Sequence, residues 1–319
     1  MSRALVTGAN GFVGHPLCEE MLRQGWQVTA AIRSSCQLSE GVESTIVGAI
    51  NGKTSWTDAL RDVVVIVHLA ARVHVMREEA IDPLAEFRLI NVEGTLELAR
   101  QAALSGVRRF IYLSSIKVNG EQTLSGQSFT EQDVPAPADS YALSKLEAEE
   151  SLRDLAKQTG MEVVIIRPPL VYGPGVKANF LNMMCWLHKG MPLPFASINN
   201  RRSLVALDNL LDLIVVCLEH PEAANQIFLV SDGDDLSTTE LLRRMAHALG
   251  KPVRLMPVPV SLLKAGAGLL GRRDMAQRLC GSLQVDISKA RTLLGWNPPI
   301  SVEDGLSRTA QGFLHEKTV

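Results

Sequence analysis

Tyrosine is scarce in this chain: Tyr112, Tyr141 and Tyr172 are the only three among 319 residues, beside 4 Trp and 8 Phe. Reading stacked bases needs aromatic platforms, so the thin supply argues against a single-strand nucleic-acid binder. Positive charge is not in surplus either. The 32 basic and 34 acidic side chains leave a net −2, without the basic excess of a nucleic-acid partner. The five cysteines, Cys18, Cys36, Cys185, Cys217 and Cys280, are an odd, scattered set with no C-x-x-C pair. That pattern excludes a disulfide framework and a zinc site, so no metal is expected, and it fits a reducing compartment. The first residues lack the basic start, long apolar core and small-residue cleavage site of a secretory leader. A cytoplasmic location is the expectation. Apolar runs are all too short to span a bilayer; the longest near the C-terminus, Val260 to Leu270, is interrupted by Lys264. It reads first as a core helix, and second as a segment for a membrane surface or a partner groove. Repeats of 20–50 residues and low-complexity tracts are absent.

What is present is a sizeable core and an alternating texture. Hydrophobic residues make up 46% and charged residues 21%, which excludes a disordered chain. At roughly 150 residues per domain the length predicts about two domains, or one large α/β unit with an elaboration. Strand-like runs at Arg3–Thr7, Gln27–Ile32, Ser44–Val47, Val63–Leu69, Phe110–Leu113 and Val163–Arg167 alternate with helical patterns. The helices are expected at Gly14–Gln24, Thr54–Arg61, Phe87–Ser105 and Tyr141–Gln158. This order predicts a Rossmann-type, doubly wound parallel sheet over residues 1–167. After Arg167 prolines and glycines break the chain into turns. Mixed elements follow, predicting a smaller α/β substrate-binding lobe over 168–319, with 208–230 able to return to the sheet.

Thr7-Gly8-Ala9-Asn10-Gly11-Phe12-Val13-Gly14 follows the first strand and opens a helix. Gly8 permits a tight turn, Gly11 lets backbone approach a pyrophosphate, and Gly14 allows close helix–strand packing. The helix start adds free N–H groups and positive potential, so Gly8 to Gly14, including Asn10, Phe12 and Val13, are expected to hold a dinucleotide. The second strand ends Ala30-Ala31-Ile32-Arg33 with no carboxylate for ribose hydroxyls. Arg33 suits a 2′-phosphate, so NADP(H) is favoured over NAD(H), with NAD(H) the alternative.

Tyr141 and Lys145 stand four apart on a predicted helix and share a face. Three tyrosines and ten lysines give such a pair by chance with probability roughly 0.1, so the pair gains weight from context. An adjacent ammonium is expected to lower the tyrosine pKa, letting Tyr141 exchange a proton with a carbonyl or alcohol as hydride moves. Ser114 and Ser115 close the strand Phe110–Leu113, at the end where ligands lie in such sheets. A hydroxyl there can bond the reacting oxygen.

With these motifs in order, the sequence resembles the extended short-chain dehydrogenase/reductase family, and within it the nucleotide-sugar epimerase/dehydratase group. The likeness extends to His68-Leu69-Ala70-Ala71, Asn91-Val92-Glu93-Gly94-Thr95, Leu113 to Gly120 and Arg167-Pro168-Pro169-Leu170-Val171-Tyr172-Gly173-Pro174-Gly175. Asn119 replaces the family's usual tyrosine. The resemblance implies Ser115 rather than Ser114 as the catalytic hydroxyl. It also implies that Leu69, Ala70, Ala71, Asn91 and Pro168 lie at the cofactor, with Tyr172 in the turn near the nicotinamide. Asn179 and the pair Arg201-Arg202 are implied at a nucleoside diphosphate sugar, an arginine being suited to a diphosphate. Lys117 is read as either a substrate contact or an outward side chain, and His74 as a loop residue or a substrate contact. A homodimer through helices like Phe87–Ser105 and Tyr141–Gln158 is also implied.

Three sugar chemistries compete. A 4,6-dehydratase of the family has Asp and Glu directly after its catalytic hydroxyl; here Ile116 and Lys117 stand there, which disfavours dehydration. A 4-epimerase holds its nicotinamide tightly, usually with the ribose carboxylate absent here. A reductase exchanges NADPH each turnover, which fits Arg33. The expectation is therefore reduction of a 4-keto UDP-sugar of surface-polysaccharide (O-antigen) synthesis, with NAD-dependent UDP-hexose or UDP-N-acetylhexosamine 4-epimerisation as the alternative. A non-sugar carbonyl reductase and a non-catalytic cofactor sensor rank lower: Arg201-Arg202 argues against the first, the intact Ser115, Tyr141 and Lys145 against the second.

Overall fold

In the computed structural model, residues 2–73, 82–124, 126–269, 271 and 273–318 are described; His74 lies outside them. Seven short, β-branched-rich runs form one parallel sheet: β1 (Arg3–Thr7), β2 (Gln27–Ile32), β3 (Glu43–Ile46), β4 (Val63–His68), β5 (Arg109–Leu113), β6 (Glu162–Arg167) and β9 (Ile227–Leu229). Their order is β3-β2-β1-β4-β5-β6-β9. Strands β7 (Leu170–Tyr172) and β8 (Leu204–Ala206) pair separately, also in parallel. The helices are α1 (Gly14–Arg23), α2 (Pro83–Arg88), α3 (Thr95–Leu104), α4 (Ser140–Thr159), α5 (Ala178–His188), α6 (Leu207–Glu219), α7 (Thr238–Ala248), α8 (Val260–Leu269), α9 (Arg273–Cys280), α10 (Ser288–Leu294) and α11 (Val302–Thr318). None of the described helices is long and apolar enough to cross a membrane.

Strand side chains alternate between two buried faces, which is why these strands read as unbroken apolar runs. Val6, Val67, Ile111 and Val164 meet Leu17 and Met21 of α1 and Leu210 and Ile214 of α6. Their neighbours Leu5, Ile66, Phe110 and Ile165 meet Leu98 of α3, Leu152 of α4 and Trp56. The sheet is thus completed from beyond Arg167, by α6 on one face and by β9, whose Phe228 registers with Ile166. Arg109, wholly buried, ties α6 to the sheet by donating to the carbonyls of Cys217 and His220. A third core, with Tyr172, Phe180, Met184, Leu242 and Phe313, joins α5, α7 and α11 to the β7–β8 pair.

One helical expectation fails and a second is modified. No helix forms over residues 54–61: 54–56 are irregular and 57–61 are turn. Trp56 is fully buried against the sheet, and Thr54 Oγ1 bonds the Ala49 carbonyl while accepting from Asn51 N. Such local side-chain bonds compete with helix formation. The Phe87–Ser105 helix is interrupted by a π-helical segment, Leu89–Gly94, between α2 and α3. Gly94 lies against Ile50 there: a Cβ would come within 2.6 Å of Ile50 Cγ2.

The strand order reverses at β1, with β2 on one side and β4 on the other. Ligands bind such sheets outside the carboxyl ends of the strands at that switch point. Thr7, His68 and Leu113 are the last residues of β1, β4 and β5, so the fold delivers the expected loops to one crevice.

Candidate functional site

At the end of β1 the chain turns on Gly8, whose φ of +68° lies in the left-handed region. A Cβ on Gly8 would sit 2.9 Å from Ala70 N, and one on Gly14 would sit 2.1 Å from Gly8 O. A Cβ on Gly11 would lie 3.0 Å from the same oxygen. The loop is therefore closed by its own backbone, Gly11 N donating to Gly8 O at 2.9 Å. No side chain caps the start of α1, Asn10 and Gly11 are exposed, and Phe12 and Val13 are half-buried. An uncapped helix start behind an exposed glycine turn fits the pyrophosphate of a dinucleotide.

A buried hydrogen-bond chain holds the neighbouring loop against it. Thr7 Oγ1 accepts from Leu69 N (3.2 Å) and Ala70 N (3.1 Å). Its proton is then left for His68 Nδ1 at 2.8 Å, so His68 carries its own proton on Nε2 and donates to Thr95 Oγ1 at 2.9 Å. Burial, with the Lys145 charge, pushes the His68 pKa down to about 3, so the ring is neutral. Asn91, expected at the cofactor, instead works inside the protein. Its Oδ1 accepts from Arg72 N, and its Nδ2 donates to Arg72 O and Ser144 Oγ. Both amide hydrogens are used, so Asn91 fixes the loop of Leu69, Ala70 and Ala71 against α4.

Asp139 caps α4 by accepting from Ala142 N at 2.7 Å, and this sets the helix start at which Tyr141 stands. Lys117 is engaged by an ion pair within the fold. Its Nζ pairs with Asp139 Oδ2 at 2.5 Å, strapping the turn after β5 to the start of α4. Ser115 begins that turn, its Oγ accepting from Lys117 N at 3.3 Å. The strap gathers Ser115 and Tyr141 at the same end of the sheet.

Lys145 Nζ lies 6.0 Å from the Tyr141 ring centroid and 4.5 Å from that of Tyr112. The expected lowering of the Tyr141 pKa does not occur here. Burial, with the Asp139 charge, pushes Tyr141 up to about 12. Burial likewise brings Lys145 down to about 7, against an opposing pull from Glu149. Desolvation outweighs the attraction the four-residue spacing suggested.

Behind this pair lies a buried network that the sequence reading missed. Glu149 and Arg167 form an ion pair with Nε at 3.0 Å from Oε1 and almost no exposure of either side chain. Ser114 Oγ donates to Glu149, and Arg167 Nη1 donates to Asn119 Oδ1 at 2.9 Å. Ser114 thus has a partner within the fold, leaving Ser115 as the hydroxyl at the strand end. The available signal was a carboxylate four residues after Lys145 on the buried face of α4. Pro168 is buried, and its carbonyl accepts from Ile116 N at 3.0 Å, which seats the turn after Ser115.

Arg33 is exposed immediately beyond β2. Asn179 is exposed in the first turn of α5. Arg201 is exposed, with Nη1 3.3 Å from the Asp235 carbonyl. Arg202 is more enclosed: its Nη1 donates to the carbonyls of Arg278 (2.9 Å) and Gly281 (3.1 Å), closing the end of α9. Burial and then the Arg278 charge lower the Arg202 pKa. Two cations therefore stand close together, and Arg278 was absent from the sequence expectation. Tyr172, expected near the nicotinamide, is wholly buried in the second lobe. It stacks on Phe180 at 5.4 Å and donates to Asp232 Oδ2 at 2.8 Å.

Comparisons with known proteins agree with this architecture. The family model of the NAD dependent epimerase/dehydratase family matches residues 4–231. A UDP-glucose 4-epimerase of Vibrio cholerae is 51% identical over 312 residues, covering 97% of this chain and 95% of that protein. A UDP-glucose 4-epimerase of Mycolicibacterium smegmatis is 30% identical over 333 residues, covering 98% and 99%. The solved structure of UDP-glucuronic acid 4-epimerase from Bacillus cereus in complex with NAD has a TM-score of 0.79 at 21% identity, covering 98% of this chain and 99% of that one. At that identity the likeness is one of fold.

Proposed function

The chain belongs to the NAD dependent epimerase/dehydratase family, and from that premise we propose that it is a UDP-hexose or UDP-N-acetylhexosamine 4-epimerase. The observation that carries this reading is the 51% identity, over nearly both full lengths, to a UDP-glucose 4-epimerase. The reductase expected from Arg33 gives way to it. The preference for NADP(H) gives way to NAD(H), the cofactor in the complex of similar fold. The enclosed Ile116 and ion-paired Lys117 leave no acid and base for dehydration.

In this reading the Gly8–Gly14 loop holds the pyrophosphate, with Leu69, Ala70 and Ala71 beside it. A bound nicotinamide dinucleotide supplies hydride acceptance and return at the sugar C4. Tyr141 exchanges the C4 proton: as the phenolate that the Lys145 ammonium and a bound oxidised nicotinamide would favour, it takes the proton of the C4 hydroxyl on oxidation, and as the phenol it returns that proton on reduction. Ser115 Oγ bonds the C4 oxygen. Lys145 keeps a cationic donor beside both. Arg202, with Arg278, neutralises the diphosphate, and Asn179 bonds it from the start of α5. Pairing of two chains through α2, α3 and α4 belongs to the same reading.

The test is to denature the purified protein and assay the supernatant for nicotinamide nucleotide. Near-stoichiometric NAD supports the epimerase. A nucleotide-free protein that oxidises added NADPH only with a 4-keto UDP-sugar supports the second reading, a reductase. One observation favours that second reading: β2 ends with exposed Arg33 and no carboxylate follows it before Glu40.

A further inference from the structure

The second lobe carries a surface that the proposed reaction leaves unused. In α8 no residue is buried, although the helix is built almost wholly of Val, Leu, Ala and Gly. Leu262 is 62% exposed and Leu269 is 91% exposed. They stand seven apart, on one face, with Lys264 on the opposite side. The preceding segment is similar: Val253 and Met256 are exposed apolar side chains, interleaved with exposed Lys251 and Arg254.

Charge gives this surface a direction. From Lys251 to Arg273 there are five cations, Lys251, Arg254, Lys264, Arg272 and Arg273, and no carboxylate. The whole chain, by contrast, carries more acidic than basic residues. A two-fold contact between copies of this face would set like charges against each other. Exposed leucines among cations match an anionic lipid surface, where apolar side chains enter the acyl boundary and basic ones meet headgroups. We propose that Lys251–Leu269 docks the protein on an anionic bilayer.

The surface borders the substrate side of the molecule. Lys264 of α8, with Gln122, Ala276, Gln277 and Gly281, lines a cavity of 420 Å³. Gly281 is the residue whose carbonyl Arg202 holds.

The test is flotation of the full chain with vesicles. In about 0.1 M salt the protein should float with phosphatidylglycerol–phosphatidylethanolamine vesicles and stay behind with phosphatidylcholine alone. Leu262→Glu with Leu269→Glu should cut the bound fraction at least about tenfold, and so should Lys251→Glu with Arg254→Glu. Both double variants should turn over a soluble UDP-sugar within about twofold of the unaltered protein, since none of the four residues lies in the proposed site. The second pair keeps the test decisive should the first fold poorly. Wild-type protein that does not float on the anionic vesicles overturns the proposal, as do variants that float equally well. So does a wild-type dimer that does not float and that the leucine variant splits. Flotation needs no turnover, so its outcome is separate from that of the epimerase reading.

Discussion

Lys145 reaches from α4 to the end of β5, where its Nζ donates to the Leu113 carbonyl at 2.8 Å. That bond fixes the ammonium at the strand end that leads into Ser115. In this position it faces Tyr112 more closely than Tyr141. The proposed acid/base therefore depends on Tyr141 itself carrying the proton. Tyr141→Phe should lower turnover by at least about 10²-fold while the nicotinamide content of the purified protein is unchanged. Wild-type turnover by the variant would remove Tyr141 from the mechanism.

The Glu149–Arg167 pair is buried, and removing one partner strands the other. Arg167→Met should destabilise the protein by about 3–5 kcal/mol in denaturant unfolding. Arg88, paired with Glu147 on the partly exposed face of α2 and α4, is the control. Arg88→Met should leave the unfolding free energy nearly unchanged, since solvent screens that pair. Equal losses would show that burial of the first pair has no energetic weight.

His68 gives a pH dependence with a definite sign. Its folded pKa is about 3, below the ordinary value of 6.5, because burial and Lys145 oppose the charged ring. The folded chain stays neutral at His68 while the unfolded chain takes up a proton, so this contribution is intact above pH 6.5. It is lost progressively from there toward pH 3, by an amount on the order of a few kcal/mol. His68→Gln should be less stable at pH 7.5 but should show a flatter decline in melting temperature between pH 6.5 and 4. A ring that takes up its proton near pH 6.5 in an NMR titration of the folded protein would contradict the buried chain from Thr7 to Thr95.

Two glycines should respond oppositely to alanine. At Gly14 the new Cβ overlaps the Gly8 carbonyl, so Gly14→Ala should abolish cofactor retention and lower the melting temperature. At Gly266, inside α8, it meets nothing within 4 Å, so Gly266→Ala should stabilise by about 0.4–1 kcal/mol. Melting curves with nucleotide assays on both variants separate the two cases.

The local features were legible in the sequence. Gly8, Gly11 and Gly14 follow a strand at fixed spacing, and Tyr141 and Lys145 share a helix face, so neither depends on distant chain. The strands were legible because burial on both faces leaves runs such as Val63–His68 almost without polar residues. Long-range partners were not. Nothing near Lys145 announces Leu113, and nothing near Asn91 announces Ser144, 53 residues away. Tyr172 carries a family motif, yet its orientation is set by Asp232 and Phe180 in the second lobe. The helix expected at Thr54–Arg61 failed because burying Trp56 and the bonds of Thr54 decide that segment.

The most direct measurement follows the hydrogen at C4. UDP-glucose labelled with deuterium at C4 is incubated with the purified protein and no added nucleotide. The account predicts an equilibrium mixture with UDP-galactose in which deuterium remains at C4, because the hydride that leaves is returned to the same carbon. No C4 epimer of either UDP-glucose or UDP-N-acetylglucosamine, or an epimer that has lost its deuterium to solvent, would contradict it.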